Sequence, residues 1–114
     1  MSKFFQSELV RGDIQEMATL QEFCFRSAAN LALLNVEKKR EYFDALELLL
    51  EKQKIFHTRL SLSDDPEAKQ MKDDIRKSAT IMGLPEDMDM SLIFGQMSQM
   101  VDLMKKQLDM KEVD

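Results

Sequence analysis

Arg59-Leu60-Ser61-Leu62-Ser63-Asp64-Asp65-Pro66-Glu67 is the stretch that decides the fold. One helical pattern ends in it and another begins. Ser63, Asp64 and Asp65 are all residues whose side chains cap a helix N-terminus. Pro66 suits the first helical position, where the N–H it lacks would have no partner anyway. Glu67 adds a negative charge at the positive end of the helix dipole. The stretch therefore predicts a break between two helices.

Upstream of the break, about Val36 to Leu60, lies the strongest helical pattern in the chain. At 100° per residue, Tyr42, Phe43, Leu46, Leu49, Leu50, Phe56 and Leu60 span an apolar arc of about 160°. Leu48 and Ile55, seven residues apart, form a second stripe outside that arc. Asn35 is placed to cap this helix. Before it, a helix from about Ser7 to about Leu33 puts Val10, Ile14, Met17, Cys24, Ala28 and Leu31 on one face. Downstream of the break, about Pro66 to Met82, the apolar face is narrow: Ala68, Met71, Ile75, Ala79 and Met82. Gly83 ends that helix, and Pro85 follows as a stop. The last helix begins between Glu86 and Asp89 and runs to about Met110. Met90, Ile93, Phe94, Met97, Met100, Val101, Met104 and Leu108 share its main face, with Leu92, Leu103 and Met110 on a second stripe.

Composition agrees with this pattern. The chain has 114 residues, 44% apolar and 32% charged, with three glycines and two prolines. Its dominant residues lose little on entering a helix. One domain is expected, over residues 1–110, with residues 111–114 as an unstructured tail. The fold class is all-α: four helices joined by short loops, in an antiparallel bundle or paired helical hairpins, the second and fourth being longest. A domain of this size buries roughly 65% of its unfolded surface, so it folds without staples.

Charge narrows the function classes. A net charge of −5 and a pI near 4.9 disfavour sequence-independent nucleic-acid binding and docking on anionic membranes. No apolar run approaches the ~20 residues that span a bilayer. A single cysteine excludes an intrachain disulfide, and a cytoplasmic location is expected.

Residues with chemical potential are few. His57, the only histidine, lies in the apolar arc four residues after Gln53. The two form a candidate buried polar pair, read most simply as core groups bonded to each other or to a facing helix. Cys24 lies on an apolar face, with no base or cation beside it to activate a thiolate. Glu86-Asp87-x-Asp89 reads as helix capping, so no metal or cofactor is expected. The spacing Ala79-x-x-x-Gly83 resembles a helix-turn-helix, but the helix after it begins without Lys or Arg to meet DNA. Lys38-Lys39-Arg40, flanked by Glu37 and Glu41, reads as a solvated helix face. No catalytic constellation is visible, and the expectation is a non-enzymatic protein. Six of the ten methionines fall in or just before the last helix, where flexible thioethers fill a core or an adaptable interface. Met90, Met97 and Met104 are assigned to the core. Met88 and Met110 join Leu48, Ile55, Leu92 and Leu103 as candidate interface residues, because a monomer would leave these stripes exposed.

Phe4-Phe5-x-Ser7-Glu8-Leu9-Val10, Lys39-x-x-Tyr42-Phe43-x-x-Leu46-x-x-Leu49 and the block from Phe56 through Leu60-Ser61-Leu62-Ser63-Asp64-Asp65-Pro66-Glu67-Ala68 resemble a family of small domains of unknown function found in cyanobacteria and their tailed phages. The resemblance is to the phage branch and thins after Met82. It implies no activity and no catalytic residue. It implies a setting: a cyanobacterial cytoplasm during phage infection. Within it the expected partners are a host or phage protein and further copies of the chain. A virion or assembly component and a nucleic-acid-associated protein are the alternatives.

Overall fold

Four side-chain caps and one glycine set the helix ends. In the computed structural model, which describes residues 3–85 and 89–113, Ser7 caps α2 (Glu8–Ala29) and Asn35 caps α3 (Val36–Leu62), its Oδ1 accepting from Lys38 N–H at 2.8 Å. Of the three candidates in the break, Asp65 is the cap of α4 (Pro66–Ile81), and its Oδ1 accepts from Glu67 N–H at 3.0 Å. The second oxygen of the same carboxylate accepts from Phe4 N–H at 3.0 Å. Phe4 lies in the first turn of α1 (Lys3–Gln6), a short helix that the periodicity does not predict. One carboxylate thus serves unpaired N–H groups of two helices. Ser63 ends α3 instead, and its hydroxyl accepts from Asp65 N–H.

Gly83 closes α4. It alone among the described residues has a positive φ, 97°. Leu84 N–H donates to Ala79 O and Gly83 N–H to Thr80 O, the paired bonds of a Schellman motif. Asp89 caps α5 (Met90–Val113) through Ser91 N–H at 2.9 Å. The predicted first helix is shorter than expected: α2 stops at Ala29, and Leu31–Leu33 form a separate 3₁₀ turn. Residues 111–113, expected as a tail, continue α5, and Asp114 lies outside the described residues.

The chain is all-α among the described residues, with five α-helices, four of them long. At 27 and 24 residues, α3 and α5 are the longest. α3 packs against α2, α4 and α5, and α1 bridges α2 and α4; among the described residues α2 and α5 share no substantial interface. Ion pairs show the direction of each seam. Arg59 of α3 meets Asp13 of α2 and Lys52 meets Glu16, so numbering rises on one helix as it falls on the other. Arg40 meets Asp109 of α5 at 2.5 Å, Asp44 and Glu47 meet Lys105, and the His57 ring lies 5.9 Å from that of Phe94. Both seams are antiparallel. The result is broad and thin, 53 × 32 × 20 Å, with a radius of gyration of 16.3 Å; a compact chain of this length has about 13 Å.

The tightest packing lies beneath the break. Val10, Phe56, Leu60 and Ala68 form a buried cluster, with Phe4, Phe5, Met17, Met71 and Ile75 against it. Leu60 is 1% exposed. Phe4 stacks edge-on against both Phe5 and Phe56. Away from this cluster, burial is thin. Met97 and Met104, assigned to the core from periodicity, are exposed, and Met90 is only partly buried. Met82, placed on the apolar face of its helix, is also exposed. The physical reason is the open layer: α5 has one substantial neighbour, α3, so only a narrow strip of its wide apolar surface is covered.

Asp65→Ala removes a helix cap and the α1 anchor together. It is expected to lower stability by about 1–2 kcal/mol, read by urea unfolding, while Asp64→Ala, at an exposed neighbour with no capping role, stays within ~0.5 kcal/mol.

Candidate functional site

The candidate interface residues lie on the sides of α3 and α5 that no helix covers. On α3, Leu48 and Ile55 are each 44% exposed. Leu48 lies at a shallow depression bordered by Gly12, Gln15, Thr19 and Leu20 of α2 and by Lys52. On α5, Leu92, Leu103 and Met110 are between 59% and 70% exposed. Met88 lies outside the described residues. These five side chains form two separate surfaces, one on the open side of α3 and one on the far side of α5.

Gln53 and His57 of α3 are both partly exposed rather than buried. No hydrogen bond joins them among the described residues. His57 instead borders a cleft with Thr58 and Ser61 of α3, Lys72 and Arg76 of α4, and Asp89 and Ser91 at the start of α5. Burial pushes its pKa below the ordinary 6.5; Lys72 and Arg76 push it the same way, and Asp89 opposes them. The two cations were not legible as neighbours of His57 in the sequence, since α4 had to fold back onto α3 to bring them there.

Cys24 is buried, and burial raises its thiol pKa, the opposite of an activated nucleophile. Burial raises Tyr42 as well, with a smaller contribution from nearby Cys24. No group of three metal-ligating side chains assembles among the described residues. Glu86 and Asp87 lie outside them, and Asp89 caps α5. Arg40, read from sequence as part of a solvated basic run, holds the α3–α5 seam through Asp109. No described helix is long and apolar enough to cross a membrane.

These features define an all-α protein with large apolar side chains exposed along α3 and α5. A family model described as a domain of unknown function (DUF1825) matches residues 2–108. The chain belongs to that family. No curated protein and no solved structure matches it.

The His57 environment has a measurable consequence. Its folded-state pKa lies below the unfolded value of about 6.5, so the unfolded chain binds the proton more readily. The stability this contributes is complete above pH ~6.5 and falls as pH drops through that value toward the folded pKa. As the only histidine, His57 titrates alone in this window. His57→Gln is expected to flatten the decline in urea midpoint between about pH 7 and pH 5. In an NMR titration, Lys72→Ala with Arg76→Ala should move the His57 pKa back toward 6.5.

Proposed function

We propose that this chain is a non-enzymatic helical interaction module that works by presenting apolar helix faces to protein partners, its own copies included. The observation that carries this reading is an excess of exposed apolar side chains. Among the described residues, ten hydrophobic side chains are buried and sixteen large ones are exposed. Scattered apolar residues are ordinary on a surface, but contiguous stripes mark contacts. Here nine of the sixteen fall on the two longest helices, six of them on α5.

Membership of a family of unknown function supplies no chemistry to set against this reading. The proposed setting, drawn from the resemblance to the phage branch, is the cyanobacterial cytoplasm during infection, with a host regulatory, transcription or photosynthetic component as the partner.

The test is affinity capture by the tagged protein from nuclease-treated cyanobacterial lysate, run beside a Leu48→Glu, Ile55→Glu variant. The expected result is one stoichiometric host protein, recovered by the wild type and lost with the variant at unchanged helicity. A variant that unfolds would show these residues to be structural and remove the α3 face from the proposal. Recovery of the chain in purified virions would favour an assembly role, and nucleic-acid binding that persists at ~0.2 M salt would favour the third reading.

A further inference from the structure

Between Leu92 and Met110, the charges of α5 are segregated to one side. Asp102, Lys105, Lys106 and Asp109 all lie within about 100° of arc, and every one is in an ion pair: Lys105 and Asp109 with α3, Lys106 with Asp102. The buried strip Ile93, Val101 and Leu108 faces inward. Between Leu92 and Met110, an arc of about 140° that includes the buried Ile93 at its inner edge carries no charged residue, and Lys111, on the same arc, comes only in the following turn. In a chain with 32% charged residues, that is not the surface of a helix meant for water.

Six exposed apolar side chains occupy the arc: Leu92, Met97, Met100, Leu103, Met104 and Met110, from 40% to 70% exposed. Their order is self-complementary. An antiparallel two-fold axis near residue 101 sets Leu92 beside Met110 of a second copy, Met97 beside Met104 and Met100 beside Leu103. The same axis sets Gln96, the first of two exposed glutamines on the arc, beside the second, Gln107. Every apolar residue meets an apolar one, and amide meets amide. The net charge of −5 would oppose self-association over most of the surface, but this arc is neutral. At roughly half exposure the six side chains present on the order of 600 Å² per copy, so a symmetric pair removes about 1,200 Å² from water, where stable specific interfaces begin.

From this we infer that the uncharged arc of α5 is the seat of a homodimer, in which α5 packs antiparallel against α5 of a second copy about an axis near residue 101. The inference rests on the reading of the open helix faces as contact surfaces and names the occupant of one of them. The axis is isologous, so the assembly closes at two copies. The α3 face, with Leu48 and Ile55, stays open in the dimer for a different partner.

Sedimentation equilibrium of the full chain, from low micromolar to near-millimolar concentration, tests this. The wild type is expected as a dimer. Met100→Glu with Leu103→Glu, which gathers four carboxylates at the axis, is expected to weaken dimerisation at least a hundredfold with unchanged far-UV circular dichroism. Leu48→Glu with Ile55→Glu is expected to stay dimeric. A monomeric wild type, or a dimer that survives the α5 substitutions, overturns the inference. A dimer broken only by the α3 substitutions overturns the assignment to α5 and leaves the interaction reading standing, as does a monomer that still captures its partner.

Cross-linking keeps the test open if the glutamates unfold the chain. Gln96 and Gln107 are about 16 Å apart along one helix, beyond the reach of a disulfide. Gln96→Cys with Gln107→Cys should therefore oxidise to a covalent dimer, and Gln96→Cys alone should not. Equal cross-linking by the single variant would overturn the antiparallel register, and no cross-linking by the double variant would overturn the interface.

Discussion

Everything in this fold leans on α3. It is the one helix that contacts α2, α4 and α5, and it uses different sides to do so: Phe56 and Leu60 are buried in the cluster with Val10 of α2, and the partly exposed His57 ring meets Phe94 of α5. A helix amphipathic in the ordinary sense has one apolar stripe and one neighbour layer. The apolar arc of α3, about 160° wide, serves three neighbours. The geometric cost is that its neighbours lie beside it rather than around a common centre. Each flanking helix is then covered on one side only, which gives the thin outline of 53 × 32 × 20 Å.

Two kinds of interaction divide the work of holding that layer. The cluster under the α3–α4 break supplies stability; truncation of a fully buried leucine such as Leu60 removes on the order of 2–5 kcal/mol. The ion pairs along the seams contribute less, about 0.2–1 kcal/mol each where exposed. Their arrangement selects register. α3 turns Lys52 and Arg59 toward acidic groups of α2 and Asp44 and Glu47 toward Lys105 of α5. Sliding α5 along α3 by one turn would separate Arg40 from Asp109. The Asp65 carboxylate does the same for the chain ends, tying the start of α1 to the start of α4.

The same economy explains the open surfaces. Between Leu92 and Met110, α5 commits its charged residues to the seam and to one intrahelical pair, leaving that stretch of its outer arc without charge. Methionine suits such an arc, because an unbranched thioether repacks against whatever covers it. The His57 cleft is a second product of the architecture, formed where α3, α4 and the first turn of α5 converge. Burial there lowers the imidazole pKa, and the two cations push it the same way, a local consequence of helix placement.

Much of the fold was legible in the residues themselves. Helix caps act within three or four positions, so Ser7, Asn35 and the Asp65-Pro66 junction could be read directly, as could the Gly83 stop. Helical periodicity is equally local, which is why α3 and α5 stood out as the longest elements and why Leu48, Ile55, Leu92, Leu103 and Met110 fell on stripes of their own. What periodicity cannot encode is how many neighbours a helix has. It gave Met97 and Met104 the same standing as Val101 and Leu108, and only the packing of α5 against a single helix left the first two exposed and the last two buried. The α1 turn depends on a hydrogen bond spanning 61 residues, and the surroundings of His57 on α4 folding back against α3. The sequence by itself determined an all-helical chain, its breaks and its surplus of apolar surface, because these follow from short-range backbone and side-chain preferences. Which surfaces are covered and which stay open was decided by the tertiary structure, because burial depends on residues that are neighbours only once the chain has folded.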